Sequence, residues 1–183
     1  VAHIPVLGVA VGTFMTLVVQ SSSATIAVLQ NFASQPGPDG VTSILGLAGA
    51  IPILLGDNIG TTITALLASI GQSKDAKRTA VAHCIFNISG CFLFIWFVKP
   101  LAAFIQYISP KGPEIEVISR QIANAHTLFN VTNTFIWVPL LPLMVKIVTT
   151  IIPGEDVKDL EKGRLQYIDE RLLDQPEFAM HLV

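Results

Sequence analysis

The chain has 183 residues, 51% of them hydrophobic and 13% charged, with a formal net charge of −2. Soluble domains carry about 25% charge, so this composition, with a mean hydropathy of +0.62, excludes an ordinary soluble fold and specifies an integral membrane protein. The slightly acidic balance also argues against a nucleic-acid partner, which a basic patch would attract.

In chain order, Ile4–Val19 is an uncharged apolar run, short for a full span of about 20 residues. It runs into Gln20-Ser21-Ser22-Ser23-Ala24-Thr25, after which Ile26–Phe32 is apolar again. Unpaired polar groups in hydrocarbon cost several kcal/mol each, so a dense polar cluster at this position lines a cavity or binds something. The pattern predicts a helical hairpin that enters and leaves the membrane on one side. Ser34–Gly40, with two prolines and two glycines, is a turn. Ile44–Ile70 is long enough to span, but Pro52 and the segment Gly56-Asp57-Asn58-Ile59-Gly60-Thr61-Thr62 predict a break within it. Discontinuous helices of this kind aim freed N–H and C=O groups at ions and substrates in secondary transporters. The plainer alternative is that the hydroxyls bond back to their own helix.

Gly71–Arg78 reads as a polar loop, Thr79–Val98 as a span, Leu101–Ile108 as its extension or an interfacial stretch, and Pro110–Arg120 as a loop. Gln121–Ile152 is the last span, with Pro139 and Pro142 as candidate kinks. The domain division expected is a membrane part, 1–152, and a polar tail, 153–183. Within the tail, Leu165, Ile168 and Leu172 recur at helical spacing among charges. Basic residues in short loops mark the cytoplasmic side. Lys74, Lys77 and Arg78, and in the tail Lys158, Lys162, Arg164 and Arg171, fall on one side if two spans separate them.

Cys84 and Cys91 lie seven apart on one helix, about 10 Å by the helical rise, too far for a disulfide. Ala82-His83-Cys84-Ile85-Phe86-Asn87 is echoed by Ala125-His126-Thr127-Leu128-Phe129-Asn130. Two readings of the echo stand: symmetric helices that present Asn87 and Asn130 to a common centre, or Asn and His that simply pack and cap. The glycosylation sequons at Asn87 and Asn130 fall inside predicted spans and read as accidental. The chain opens at Val1 without an initiator Met or signal peptide, which suggests part of a longer protein.

These motifs resemble the sodium/phosphate cotransporter family, which comprises the type II cotransporters of animals and their bacterial relatives. Gln20–Ser23 matches its QSSS hairpin motif, Asn58-Ile59-Gly60-Thr61-Thr62 a second signature, and Ala125–Asn130 a recurring segment. The resemblance covers residues 1–152. It implies an all-α integral membrane fold: a re-entrant helical hairpin plus broken and continuous transmembrane helices, one inverted-repeat half of a secondary transporter. Only one QSSS is present, so the chain is similar to the second repeat, with the first repeat a missing partner in the same protein. Residues 165–176 are similar to the junction where bacterial members continue into a PhoU-like cytoplasmic helical domain. The implied function is sodium-coupled symport of inorganic phosphate across the cell (inner) membrane, with no enzymatic activity and no cofactor beyond sodium as coupling ion.

Phosphate is anionic, yet no Lys or Arg lies in either cluster. Positive charge then comes from helix N-termini and from sodium, a hard cation that prefers oxygen ligands. The expected phosphate ligands are Gln20, Ser21, Ser22 and Ser23. The expected sodium ligands are Thr25, Asp57, Asn58, Thr61 and Thr62, with Asn87 and Asn130 behind them. Asp57 has two open roles, sodium ligand or helix cap. Competing functions are an enzyme with Ser22 as nucleophile and His83 or His126 as base, a phosphate-responsive regulatory membrane protein, and a sodium symporter for another small anion. The enzyme lacks any Ser–His motif spacing.

Overall fold

The computed structural model describes residues 4–155. Those residues form seven α-helices: α1 (Pro5–Val19), α2 (Ser22–Ala33), α3 (Leu47–Ala68), α4 (Lys74–Phe94), α5 (Val98–Ile108), α6 (Glu114–Trp137) and α7 (Leu141–Ile151). A 3-10 turn, Ile95–Phe97, joins α4 to α5, and an isolated bridge, Pro36 to Ser43, closes the loop before α3. By length and composition α3 and the α4–α5 unit, Lys74–Ile108, are long and apolar enough to cross a membrane. A third crossing arises if α6 and α7, bent by 85° to one another, count together. The amphipathic segment expected around Leu165–Leu172 lies outside the described residues.

Local chemistry explains the helix ends. Pro5 opens α1, where its missing N–H costs nothing. Gln20 ends α1 in the left-handed conformation, φ 57°, and Ser21 caps α2 by accepting a hydrogen bond from the Ala24 N–H at 3.3 Å. Ser73 caps α4 in the same way. The basic segment expected as loop is therefore helical from Lys74, favoured by Asp75 in the first turn. The loop expected over Pro110–Arg120 also shortens. Pro113 precedes α6, Glu114 and Glu116 occupy its positive end, and Ile118, Gln121 and Ile122 already lie on its buried face. The bend between α6 and α7 falls at Val138–Leu140, where the sequence places Pro139.

The main correction concerns α3. It runs unbroken from Leu47 to Ala68, through Pro52 and through Gly56–Thr62. Three of its polar side chains bond back to the helix: Asn58 Nδ2 donates to the Leu54 carbonyl at 3.1 Å, Thr61 to that of Asp57 at 3.0 Å and Thr62 to that of Ile59 at 2.7 Å. The glycines serve packing instead. α1 carries Gly8-x-x-x-Gly12 and α3 carries Gly56-x-x-x-Gly60, and the two pairs face each other. A Cβ on Gly12 would strike the Ile53 carbonyl, and one on Gly56 the Val9 carbonyl. Such small-residue pairs let helix backbones meet in a membrane.

α1 and α3 run parallel. Thr13 Oγ1 donates to the Gly56 carbonyl, Thr16 Oγ1 bonds Asp57, and Thr64 Oγ1 donates to Gln20 Oε1, contacts that advance together along both helices. The end of α1 therefore sits about 25 Å along α3 from Leu47, taking about 1.5 Å per residue. α2 then leads back to where α3 begins: Ser43, just before α3, donates to the carbonyl of Ala33, the last residue of α2.

α3 is the centre of the bundle, with Ile51, Leu54 and Leu55 nearly inaccessible. Ile105, Ile118, Ile122 and Phe129 belong to the same buried cluster, and Phe94 meets Phe129 edge-on at 5.2 Å. At one end of the bundle Glu114 accepts from the Ser43 N–H at 3.0 Å, and Gln30 donates to the Ser119 carbonyl. At the other end Arg78 donates to the carbonyls of Ile152 and Gly154, and Lys74 to that of Pro153. Lys74 and Arg78 thus sit on carbonyls just past the C-terminal end of α7, where cations are favoured. The basic residues expected on the same side, Lys158, Lys162, Arg164 and Arg171, lie outside the described residues.

Candidate functional site

Both polar clusters touch the α1–α3 seam, Asp57 through Thr16 and Gln20 through Thr64. Asp57 is fully buried on α3. Its Oδ1 lies 2.6 Å from Thr16 Oγ1, which also lies 3.0 Å from the Gly12 carbonyl, while its Oδ2 is buried with no partner. A buried carboxylate oxygen without a donor is costly in a membrane interior, and a cation at that oxygen would repay the cost. Close by in sequence, Asn58 is 8% exposed and Thr62 1%.

The first cluster is a genuine interruption of the helix. Gln20 Oε1 accepts from Thr64 and Gln20 Nε2 donates to the Leu17 carbonyl at 2.5 Å. Ser21 is the cap of α2. The N–H groups of Ser22 and Ser23 fall in the first turn of α2, where no carbonyl of that helix is available to them. Gln20, Ser21 and Ser23 are exposed and Ser22 is half-buried, so the turn offers donors to a neighbouring space. Thr25, by contrast, is fully buried and donates to the Ser21 carbonyl at 3.1 Å. The seam therefore joins Gln20 to α3 directly, and Asp57 to α1 through Thr16.

The echoed segments show the same local geometry. Asn87 Nδ2 donates to the His83 carbonyl and Asn130 Nδ2 to the His126 carbonyl, each at 3.0 Å. Each amide nitrogen thus donates once within its own helix. The residue of that segment that reaches α3 is His126, whose Nε2 lies 3.2 Å from Asn58 Oδ1. The sequence offers His126 as a base for Ser22 or as a packing residue of the echo, whereas its ring contact is with the amide of Asn58. Thr16 was likewise missed. A hydroxyl in an otherwise apolar run carries no signal until the partner helix places Asp57 against it. The Gly8-x-x-x-Gly12 and Gly56-x-x-x-Gly60 spacings are the sequence signal that could have pointed to this seam.

The seam lies inside a bundle of apolar helices, two or three of which are long and apolar enough to cross a membrane, the build of a helical membrane protein. Residues 1–109 match the Na+/Pi-cotransporter family, and the chain belongs to it. Relatives include the uncharacterized protein YqeW of Bacillus subtilis (strain 168), 32% identical over 145 residues, which are 79% of this chain and 43% of that protein. The sodium-dependent phosphate transport protein 2C of Rattus norvegicus is 29% identical over 138 residues, 73% of this chain and 21% of the relative. The human sodium-dependent phosphate transport protein 2B is 38% identical over 98 residues, 51% of this chain and 13% of the relative. The chain thus spans less than half the length of these relatives. No solved structure matches it.

Proposed function

We propose that this chain is one inverted-repeat half of a sodium-coupled phosphate symporter of the cell (inner) membrane, and that α1, the Gln20–Ser21 turn and α2 form its re-entrant hairpin. The observation that carries the reading is the unpartnered, fully buried Oδ2 of Asp57, set in the seam that also anchors the hairpin turn. Sodium would sit among Asp57, Asn58, Thr61, Thr62 and Thr25, whose oxygens suit a hard cation. Phosphate would meet Gln20, Ser21, Ser22 and Ser23 at the positive end of α2. The exposure of that turn fits a site completed by the missing repeat. Each ion lowers the electrostatic cost of the other, which is the origin of coupling. One charge moving down 100 mV contributes about 2.3 kcal/mol to accumulation.

In this arrangement the Arg78–Gly154 end faces the cytoplasm, and residues 153–183 begin a PhoU-like domain on that side. Asn87 and Asn130 would stand behind the sodium ligands, each held by a bond to its own helix. Sodium titration of phosphate uptake by the full-length protein tests the assignment. Asp57→Asn keeps the shape and an oxygen but removes the charge, so half-saturating sodium should rise while phosphate affinity at saturating sodium changes much less. Superimposable sodium curves would remove Asp57 from the site.

A further inference from the structure

We propose that His126 is a positioning residue that holds the Asn58 side-chain oxygen in the orientation needed for sodium. The inference rests on the assignment of Asn58 as a sodium ligand and extends it to α6. The orientation of the Asn58 amide follows from its surroundings. Its Nδ2 lies 3.1 Å from the Leu54 carbonyl, an acceptor only, so the nitrogen faces that carbonyl and the oxygen faces His126. A flipped amide would set two oxygens against each other. The Asn58 oxygen in turn requires a donor, so His126 carries a proton on Nε2.

The amide is therefore clamped from two sides, by its own helix at Leu54 and by α6 at His126. An amide oxygen has two lone pairs. The Nε2–H takes one, and the other is available to a cation without breaking the clamp. Asn58 is 8% exposed, so water is a poor substitute for the imidazole donor. On α6, His126 is the side chain that meets the Asn58 oxygen, while Asn130 Nδ2 turns one of its N–H groups back to the His126 carbonyl. The contact also ties α6 to the centre of α3, so a change in cation occupancy at Asn58 has a direct route to a second helix.

The test uses full-length protein in sodium-free proteoliposomes to which sodium is added, with phosphate uptake as the readout. His126→Leu removes the donor at similar bulk, and His126→Gln returns an N–H near the position of Nε2. Losing one buried hydrogen bond corresponds to about a two- to tenfold change in an equilibrium. His126→Leu should raise half-saturating sodium by about that factor, leave the phosphate KM at saturating sodium close to wild type, and be largely rescued by His126→Gln. A sodium curve for His126→Leu that superimposes on wild type would overturn the proposal. So would an equal shift in His126→Gln, or a matching rise in phosphate KM, since either marks general damage to the bundle. Asn58→Ala separates the two levels. If it leaves sodium dependence unchanged, Asn58 is not a ligand and the parent assignment fails as well. If it shifts the curve while His126→Leu does not, only the role of His126 is lost. Should His126→Leu fail to reach the membrane, His126→Phe tests the same loss of the donor on a ring-shaped side chain.

Discussion

The two polar clusters are alike in composition, and they fold in opposite ways. Gln20–Thr25 breaks the chain into two helices and leaves Gln20, Ser21 and Ser23 exposed. Gly56–Thr62 stays inside one helix and buries Asp57, Asn58 and Thr62. The difference lies in what each cluster has for partners. At Gln20 the chain turns left-handed, and Ser21 supplies a cap for a new helix. At Gly56 and Gly60 the missing side chains admit the backbone of α1, and that contact rewards a straight helix. Polar residues in a membrane segment therefore do not by themselves mark a break. Back-bonding hydroxyls and amides leave the helix intact when a close-packed neighbour holds it.

The sharpest way to break this comparison is at the glycines. Gly56→Ala places a methyl group against the Val9 carbonyl, so α1 and α3 must separate, whereas the same change at Gly37 meets only ordinary contacts. Overpacking costs about 1–3 kcal/mol, or more where backbone must move. Gly56→Ala should depress the thermal stability of the full-length protein severely while Gly37→Ala stays close to wild type. Equal midpoints for the two variants would refute the interlocked seam.

Next in size is Thr16→Val, which keeps the shape and deletes the donor to Asp57. A buried hydrogen bond to a charged group contributes about 1.5–3 kcal/mol, and stability should fall by that order. In the double variant with Asp57→Asn the further loss should be smaller, because the charge that needed the donor is gone. Strict additivity in denaturation midpoints would show that Thr16 and Asp57 do not interact.

Within the other cluster, Ser21 and Ser22 should separate. Ser21→Ala removes the cap of α2 and should cost about 1 kcal/mol of stability. Ser22→Ala should leave stability nearly untouched and weaken phosphate uptake instead. Identical effects of the two changes on melting would contradict the division of labour at the turn.

The smallest effect lies outside the membrane. Asp39 accepts from the N–H groups of Val41 and Thr42 and from the Thr42 hydroxyl, and the hydroxyl bond above all holds its carboxyl down at about 2. Because the folded value is depressed, this turn contributes stability above the ordinary carboxylate range of about 3.9. That contribution is lost as pH falls through about 2. Carboxyl carbon chemical shifts across an acid titration should show the low midpoint in wild type, and Thr42→Val should move it upward. A midpoint near 4 in the wild type would mean that the turn does not form in solution.

Much of the membrane architecture was legible because it depends on local pattern. The apolar runs, the turn at Gln20, the loop at Ser34–Gly40 and the bend near Pro139 follow from hydropathy, hydrogen-bonding inventory and proline sterics. The family resemblance rested on short motifs of the same kind. The break expected in α3 was wrong for a reason that composition hides. A glycine reads equally as a hinge or as a point of contact, and only the neighbouring helix decides which.

The amino-acid sequence by itself determined that this is a helical membrane protein with two intramembrane clusters of oxygen-bearing side chains, since burying those groups in lipid demands an internal partner. The tertiary structure alone decided which partners they have. Thr16 comes to Asp57, Thr64 to Gln20 and His126 to Asn58 because α1 and α6 are docked on α3 in one register. Contacts between residues forty to seventy positions apart leave no periodic trace in the chain, because each is set by the close approach of whole helices rather than by neighbouring residues.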